Sequence, residues 1–164
     1  AVELLEKLLR DEIKAHTRTN VVQEKKYGDR LLETLRRYNN RGIQTAQVIE
    51  EMIQMAKDFA EELQRNKELG LNPDEVAFYM ALAENESAVR ELGDATLKKL
   101  AVQLTDELRK STTVDWQVRD SVRAKLRILV RRLLRRYKYP PDLEKAAIEL
   151  VLQQAETLSE SWSS

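Results

Sequence analysis

Apolar residues recur along most of the chain at intervals of three and four positions, the repeat of an amphipathic α-helix. The pattern predicts about seven helices and almost no strand. Only residues 19–28 read as a short extended segment, so we expect the second helix to begin near Asp29, its N-cap. The apolar positions that define the helices are Leu4, Leu5, Leu8, Leu9 and Ile13; Leu31, Leu32, Leu35 and Tyr38; Val48, Ile49, Met52, Ile53, Ala56, Phe59, Ala60 and Leu63; Phe78 and Leu82; Leu97, Leu100, Ala101, Leu104 and Leu108; Val118, Val122, Leu126, Leu129, Val130, Leu133, Leu134 and Tyr137; and Leu143, Ala146, Ala147, Leu150, Val151 and Leu158.

Capping residues mark several of the predicted helix ends. Gly70 fits the left-handed position that follows a helix. Asn72-Pro73-Asp74-Glu75 combines an N-cap side chain, a proline in the first turn and a glutamate that can reach back to the cap. Ser87 or Asp94 is expected to cap the pieces that follow. No repeat or linker divides the chain, so the sequence predicts an all-α fold, a single multi-helix bundle domain over residues 1–164.

The composition is typical of a helical bundle and indicates in which cellular compartment the protein is expected. Charged residues make up 34% of the chain, aromatic residues 5%, and there are four glycines and three prolines. Because cysteine is absent, there is no disulfide or thiolate metal site, and a cytoplasmic location is expected. The longest apolar run, Val76 to Ala83, is far short of the ~20 residues that span a bilayer. Ala1 opens directly into an amphipathic pattern, which suggests an excised fragment without a secretory signal.

Positive charge is concentrated in one helix of a chain whose formal net charge is zero. Residues 109–139 hold eleven lysines and arginines against two aspartates, a net charge of +9. Thr113 or Asp115 is expected to cap this basic helix, Pro140 to end it, and Trp116 to staple its start into the core. Five arginines spaced four apart form a stripe along it: Arg119, Arg123, Arg127, Arg131 and Arg135.

Three interpretations of the arginine stripe are open from the sequence. The arginines can pair with acidic helices of the same domain, for which the best candidates are Glu50, Glu51, Glu61 and Glu62. They can instead dock to carboxylates of another protein. Contact with DNA phosphates is the third interpretation, and it is less favoured because a DNA-binding module usually has a basic domain rather than one basic helix.

The sequence contains no recognisable catalytic motif. No glycine is followed by lysine, so a phosphate-binding P-loop is excluded. The letters of Pro141 to Lys145 resemble a nuclease signature, but they are compressed into one turn and read as a helix start. His16 is the sole histidine, so a histidine-rich zinc site is excluded, and we expect a partly exposed residue at a helix end. The sequence predicts no catalytic, cofactor-binding or metal site.

Several separated strings resemble the C-terminal helical region of the R subunit, the motor and endonuclease subunit, of type I restriction enzymes. The most specific is DWQVRDSVRAKLR followed by RRYKYPP, between Asp115 and Pro141. Together the strings span nearly the whole chain: residues 4–15, 20–22, TAQVIEEMI at 45–53, AFYMALAENESAV at 77–89, 114–142, and VLQQAE at 151–156.

The resemblance implies a parent subunit that hydrolyses ATP with Mg²⁺, translocates duplex DNA and cleaves it. Nuclease and motor regions lie upstream in that family, so the fragment itself is expected to be non-catalytic and to hold no cofactor. The resemblance further implies that it docks the motor region of its own subunit to the methyltransferase and specificity subunits. The alternative function is an accessory, non-specific duplex DNA-binding module that uses the basic helix over residues 115–138.

Overall fold

The computed structural model describes residues 1–111 and 119–163, together with all of their side chains except those of residues 119, 160 and 163. These residues form seven α-helices and one 3-10 turn, with no strand among them, which confirms the all-α prediction. The elements are α1 (Val2–Thr17), α2 (Val21–Asn39), α3 (Thr45–Glu68), α4 (Pro73–Ala83), α5 (Glu86–Ser111), α6 (Arg119–Arg136), the 3-10 turn Pro141–Leu143, and α7 (Glu144–Ser163).

The chain divides into two compact units. The first unit contains Ala1–Arg18 and Gln23–Gly70, and the second contains Thr19–Val22 and Leu71–Ser164. Each unit has its own cluster of buried apolar side chains. The organisation as a single domain over residues 1–164 stays a prediction. No helix in the described parts of the chain is long and apolar enough to cross a membrane.

The first unit is built around one narrow row of α3. Val48, Met52, Met55 and Phe59 are almost completely buried, and the Phe59 ring meets that of Tyr27 on α2 edge-to-face at 4.8 Å. The predicted apolar stripe was too wide here, because α1 and α2 cover only this row. The apolar residues that were expected in the core and are exposed are Leu4, Leu8, Leu32, Ile53, Ala56 and Ala60.

The second helix begins eight residues earlier than the sequence pattern predicts. The prediction of an extended segment over residues 19–28 was wrong, because Val22, Gln23 and Tyr27 are buried on one side of a helix that starts at Val21. The Val21 N–H donates to Oε1 of Gln154 at 2.9 Å, so a side chain 133 residues away caps the helix. A local pattern carries no sign of such a cap.

The structure confirms two predicted helix ends and corrects a third. Gly70 follows α3 with φ +75°, and Asn72 forms a reciprocal capping box with Glu75 at 2.8 and 2.9 Å. Ser87 does not cap α5, because it lies inside the helix and its N–H donates to the Asn85 side chain at 3.0 Å.

Asp94 was also proposed as a cap, and the structure assigns its carboxylate a different task. α5 kinks at Gly93, where φ is +80°, and Asp94 follows directly. One Asp94 oxygen accepts the Tyr79 hydroxyl at 2.5 Å, and the other lies 3.2 Å from the Lys98 ammonium. The kink therefore places Asp94 against the side chain of Tyr79 on α4.

The second unit buries most of the predicted apolar positions of α5, α6 and α7, but Ala146 was wrongly placed in the core and is exposed on α7. The Tyr139 hydroxyl, just after α6, is buried and donates to the Leu82 carbonyl at 2.8 Å. The predicted features at Thr113, Asp115, Trp116 and Val118 lie outside the described residues. The fully or nearly buried side chains of the three helices are Leu97, Leu100, Leu104 and Leu108; Val122, Leu126, Val130, Leu133 and Leu134; and Ile148, Val151, Leu152, Ala155 and Leu158.

The last helix, α7, continues through a polar C-terminal string to Ser163. Trp162 holds this last turn, because its indole N–H donates to Asp74 at 2.9 Å and its ring stacks on Phe78 at a centroid distance of 6.3 Å. An aromatic side chain with a satisfied N–H stabilises a helix end that is otherwise polar.

Neighbouring leucines on α1 test the packing of the first unit. Leu9 is 4% exposed and Leu8 is 58% exposed. We expect Leu9→Ala to lower the free energy of unfolding by about 2–5 kcal/mol, because it leaves a cavity, whereas Leu8→Ala should change it by less than about 0.5 kcal/mol. Urea denaturation followed by circular dichroism measures both variants. Equal losses would show that α1 packs differently.

Candidate functional site

One flank of α6 carries the arginine stripe and faces carboxylates of α7. Arg123 donates to Glu149 at 3.3 Å and to Glu156 at 3.1 Å. Arg127, one turn further along, donates to the other Glu149 oxygen at 2.9 Å. The Arg123 side chain is only 25% exposed. This half of the stripe is therefore committed to ion pairs within its own unit.

The other half of the stripe is held more loosely. Arg131 and Arg135 both approach one oxygen of Glu144, at 3.6 and 3.4 Å. Glu144 is 8% exposed and is the first residue of α7, where the helix dipole favours a negative charge. The Arg131 and Arg135 side chains remain 44% and 69% exposed. Arg119 is the first residue of α6, and its side chain lies outside the described part of the structure.

Two of the four glutamates suggested as acidic partners of the stripe pair with other cations. Glu51 pairs with Arg37 of α2 at 2.7 Å, and Glu62 pairs with Lys26 of α2 at 2.7 Å. Glu50 and Glu61 are exposed on α3. Glu51 and Glu62 are therefore paired with cations of the neighbouring helix within the first unit.

A signal for the correct partners was present in the sequence. α6 and α7 are joined by a short connection that contains two prolines, and helices joined in this way pack antiparallel. Antiparallel packing reverses the order of partners, so that Arg123 meets Glu156 and Glu149 while Arg135 meets Glu144. Acidic residues placed shortly after a basic helix were thus better candidates than those of α3.

The ion pairs determine the protonation of Glu149. Partial burial raises the pKa of its carboxyl group, but hydrogen bonds from Arg127 and Arg123 outweigh burial and hold the pKa below the usual value for glutamate. The carboxylate is therefore more strongly ionised in the folded chain than in the unfolded chain, and its charge contributes to stability at neutral pH.

A groove of about 450 Å³ runs between α6 and α7. Its cationic lining residues are Arg127, Arg131, Arg135 and Lys145, and Ile148 supplies an apolar side chain. Two carboxylates, Glu144 and Glu149, also line it, which leaves two positive charges in excess. We call this feature the basic groove.

A second group of cations lies on the outward side of α6. Lys125, Arg132 and Arg136 are exposed and form no ion pair with any side chain in the described ranges. Ile128 lies among them in the helical repeat and is 57% exposed. We call these four residues the outer face of α6. The sequence pattern indicated the arginine stripe but not this face. The residues of the outer face nevertheless recur at helical intervals of three and four positions.

The residues suggested by nuclease and metal motifs do not come together. Glu144, in the PDLEK string, is occupied by Arg131 and Arg135 at the start of α7. His16 is exposed at the end of α1, where its ring contacts Glu12 at 2.9 Å. In residues 1–111 and 119–163 no three acidic or histidine side chains form a group that could hold a metal ion.

Comparison with known proteins identifies the family. A family model described as "Type I restriction enzyme HindI endonuclease subunit-like, C-terminal" matches residues 1–161. The chain belongs to this family. It is 44% identical over 159 residues to the type I restriction enzyme HindI endonuclease subunit of Haemophilus influenzae, an alignment that covers 97% of this chain and 15% of that subunit.

A second relative comes from an archaeon. The putative type I restriction enzyme MjaIXP endonuclease subunit of Methanocaldococcus jannaschii is 30% identical over 137 residues, covering 78% of this chain and 13% of that protein. The chain thus spans about one-seventh of the length of these relatives and corresponds to the C-terminal region of a type I restriction endonuclease subunit. No solved structure gives a significant match.

The ion pairs of Glu149 predict a pH-dependent contribution to stability. We expect Glu149→Gln to lower the melting temperature by about 2 °C at pH 7, since partly exposed pairs are worth roughly 0.2–1 kcal/mol each. Because the folded-state pKa is depressed, this stabilisation exists above the ordinary glutamate pKa of about 4.3 and disappears as the pH falls through the lower folded-state value.

Calorimetry of both proteins between pH 7 and pH 3 measures the difference. Glu91→Gln is the control, because Glu91 is exposed on α5 and forms no ion pair among the described residues, so it should leave the melting temperature unchanged throughout. A Glu149→Gln difference that is as large at pH 3 as at pH 7 would contradict the ion-pair account.

Proposed function

We propose that this chain is a non-catalytic helical docking domain that binds its parent endonuclease subunit to the methyltransferase and specificity subunits of the same enzyme. Membership of the type I endonuclease-subunit family supports a place for the chain in such a multisubunit enzyme. The observation that carries the docking role is the outer face of α6, where cations that form no ion pair among the described residues surround an exposed isoleucine next to the basic groove.

The chemistry of this surface favours a protein partner. An exposed apolar side chain with arginines beside it is typical of the centre of a protein interface, where the apolar group is buried and guanidinium groups bind carboxylates in pairs. Ile128 offers the apolar group, and Arg132 and Arg135 offer guanidinium groups on the same side of the helix.

Binding of DNA phosphates is the alternative function. Lys125, Arg132 and Arg136 on one face support it, because a row of cations suits a phosphate backbone. The carboxylates of Glu144 and Glu149 beside the basic groove oppose it, since they would repel the same phosphates. We therefore assign the surface to a partner with mixed apolar and acidic character.

The remaining properties of the parent belong to this proposal. The parent subunit is proposed to be an ATP- and Mg²⁺-dependent restriction endonuclease that acts on duplex DNA in the cytoplasm. Its nucleotide-binding and nuclease groups are proposed to lie outside this chain, which contributes assembly rather than chemistry. The upstream motor region of the same subunit is a further proposed partner.

Charge reversal on the outer face tests the docking role. In the full-length endonuclease subunit, we expect Arg132→Glu to weaken binding to the cognate methyltransferase–specificity complex by about tenfold or more, the effect of losing an interface hot spot. The matched control is Lys99→Glu, which reverses an exposed cation on α5 that has no ion pair within the described part of the chain, and it should leave the affinity unchanged. Isothermal titration calorimetry measures both.

A parallel titration with duplex DNA separates the two functions. If Arg132→Glu leaves protein binding intact but lowers salt-sensitive affinity of the subunit for DNA, the DNA-binding alternative replaces the docking role. Equal affinities of the wild-type, Arg132→Glu and Lys99→Glu subunits for both partners would contradict both functions.

A further inference from the structure

The first unit contains a groove that none of its own side chains fills. The groove lies between α1 and α2 and has a volume of about 590 Å³. Its apolar lining includes the buried Ile13 and Leu31 and the neighbouring Leu32, which is 62% exposed. A ligand that covered Leu32 together with this apolar groove would remove apolar surface from water, which favours a ligand with an apolar face.

Gly28 lies in the lining of this groove, and no contact in the described structure requires glycine at this position. It is in the interior of α2, where glycine is less favourable than alanine, and it does not adopt a left-handed conformation. A Cβ atom built at this position meets no atom within 4 Å. The missing side chain therefore leaves space that the chain does not use, and such space allows another backbone to approach closely.

One edge of the groove is positively charged. Arg10, Lys14 and Arg18 recur every four residues along α1 and all line the groove. Arg10 is paired with Glu6 at 2.7 Å, but Lys14 and Arg18 are exposed and pair with no side chain in the described ranges. Glu24 is the sole carboxylate of the lining. The edge is thus complementary to an acidic ligand.

We propose that this groove is a second docking site, which receives an acidic amphipathic helix from another subunit of the same restriction–modification complex. The row from Arg10 to Arg18 is about 12 Å long, or two turns of a helix. A partner helix can place apolar side chains on Ile13, Leu31 and Leu32, pass close to Gly28, and set carboxylates one turn apart against Lys14 and Arg18.

The inference rests on the proposed docking function, but it concerns a different unit from the outer face of α6. If the inference is correct, a substitution that fills the groove stabilises the free subunit but weakens its binding to the other subunits. In the full-length subunit, Gly28→Leu fills the groove while improving the helix propensity of α2. We expect the melting temperature to rise by about 2 °C and affinity for the methyltransferase–specificity complex to fall about tenfold.

Charge reversal gives an independent variant whose folding is not at risk. Lys14→Glu combined with Arg18→Glu should weaken binding to the same complex by about tenfold, because both side chains are exposed and face the partner's carboxylates. The matched control is Lys57→Glu combined with Arg65→Glu, which reverses two exposed cations of α3 that form no ion pair in the described ranges, and it should leave binding unchanged.

Calorimetric titration of these three variant subunits, together with wild type and Arg132→Glu, tests the second site. Weaker binding of both groove variants and not of the α3 control supports the second site. If Arg132→Glu weakens binding but the groove variants bind like wild type, this inference is overturned and the proposed function stands. If the wild-type subunit does not bind the complex, the proposed function fails and this inference fails with it.

Discussion

The second unit depends on a helix that has both a buried apolar face and, beside it, a dense row of arginines that need partners. α6 packs Val122, Leu126 and Val130 into the core while Arg123 and Arg127 lie only a quarter to two-fifths exposed along its flank. Guanidinium groups so close to a core need compensation, because leaving a buried charge without a partner is costly. The carboxylates of α7 provide it, and the antiparallel order of the two helices makes the match possible.

This compensation divides the positive charge of α6 into two populations. Arginines that point toward α7 hold the two helices in register, and their contribution to free energy is modest because the pairs are partly exposed. Cations on the outer face, among them Arg132 and Arg136, have no such internal task in the described structure. Surface charge that is not used for folding, placed around an exposed isoleucine, is the physical basis of the proposed docking role.

The sequence predicted the parts of the fold that local chemistry controls. The capping box at Asn72, the helix end at Gly70 and the buried face of α6 each follow from a few neighbouring residues. Periodicity could not give the width of a buried face, which depends on how neighbouring helices cover it, so Leu4 and Leu8 were wrongly placed in the core. The early start of α2 depends on contacts distant in sequence.

The candidate site was predictable in identity but not in arrangement. The sequence selected the basic helix and the stripe that contains Arg131 and Arg135, and it left internal pairing and docking as alternatives. The structure shows internal pairing for the arginines on the side of α6 that meets α7, whereas docking stays a proposal for the cations on its outer face. Acidic partners for the stripe were sought on α3 because the prediction considered charge but not the order of the helices along the chain. The sequence spacing of Lys125 and Arg132 was by itself enough to indicate the outer face.

Hydrogen–deuterium exchange of the full-length subunit, with and without the methyltransferase–specificity complex, tests the docking account most directly. The account predicts that the complex slows exchange of the backbone amides in residues 121–136 and in the start of α7, at an ionic strength where duplex DNA alone has no effect on them. Unchanged exchange in both segments while the complex is bound, or the same protection from duplex DNA alone, would contradict the claim that this surface binds a protein partner.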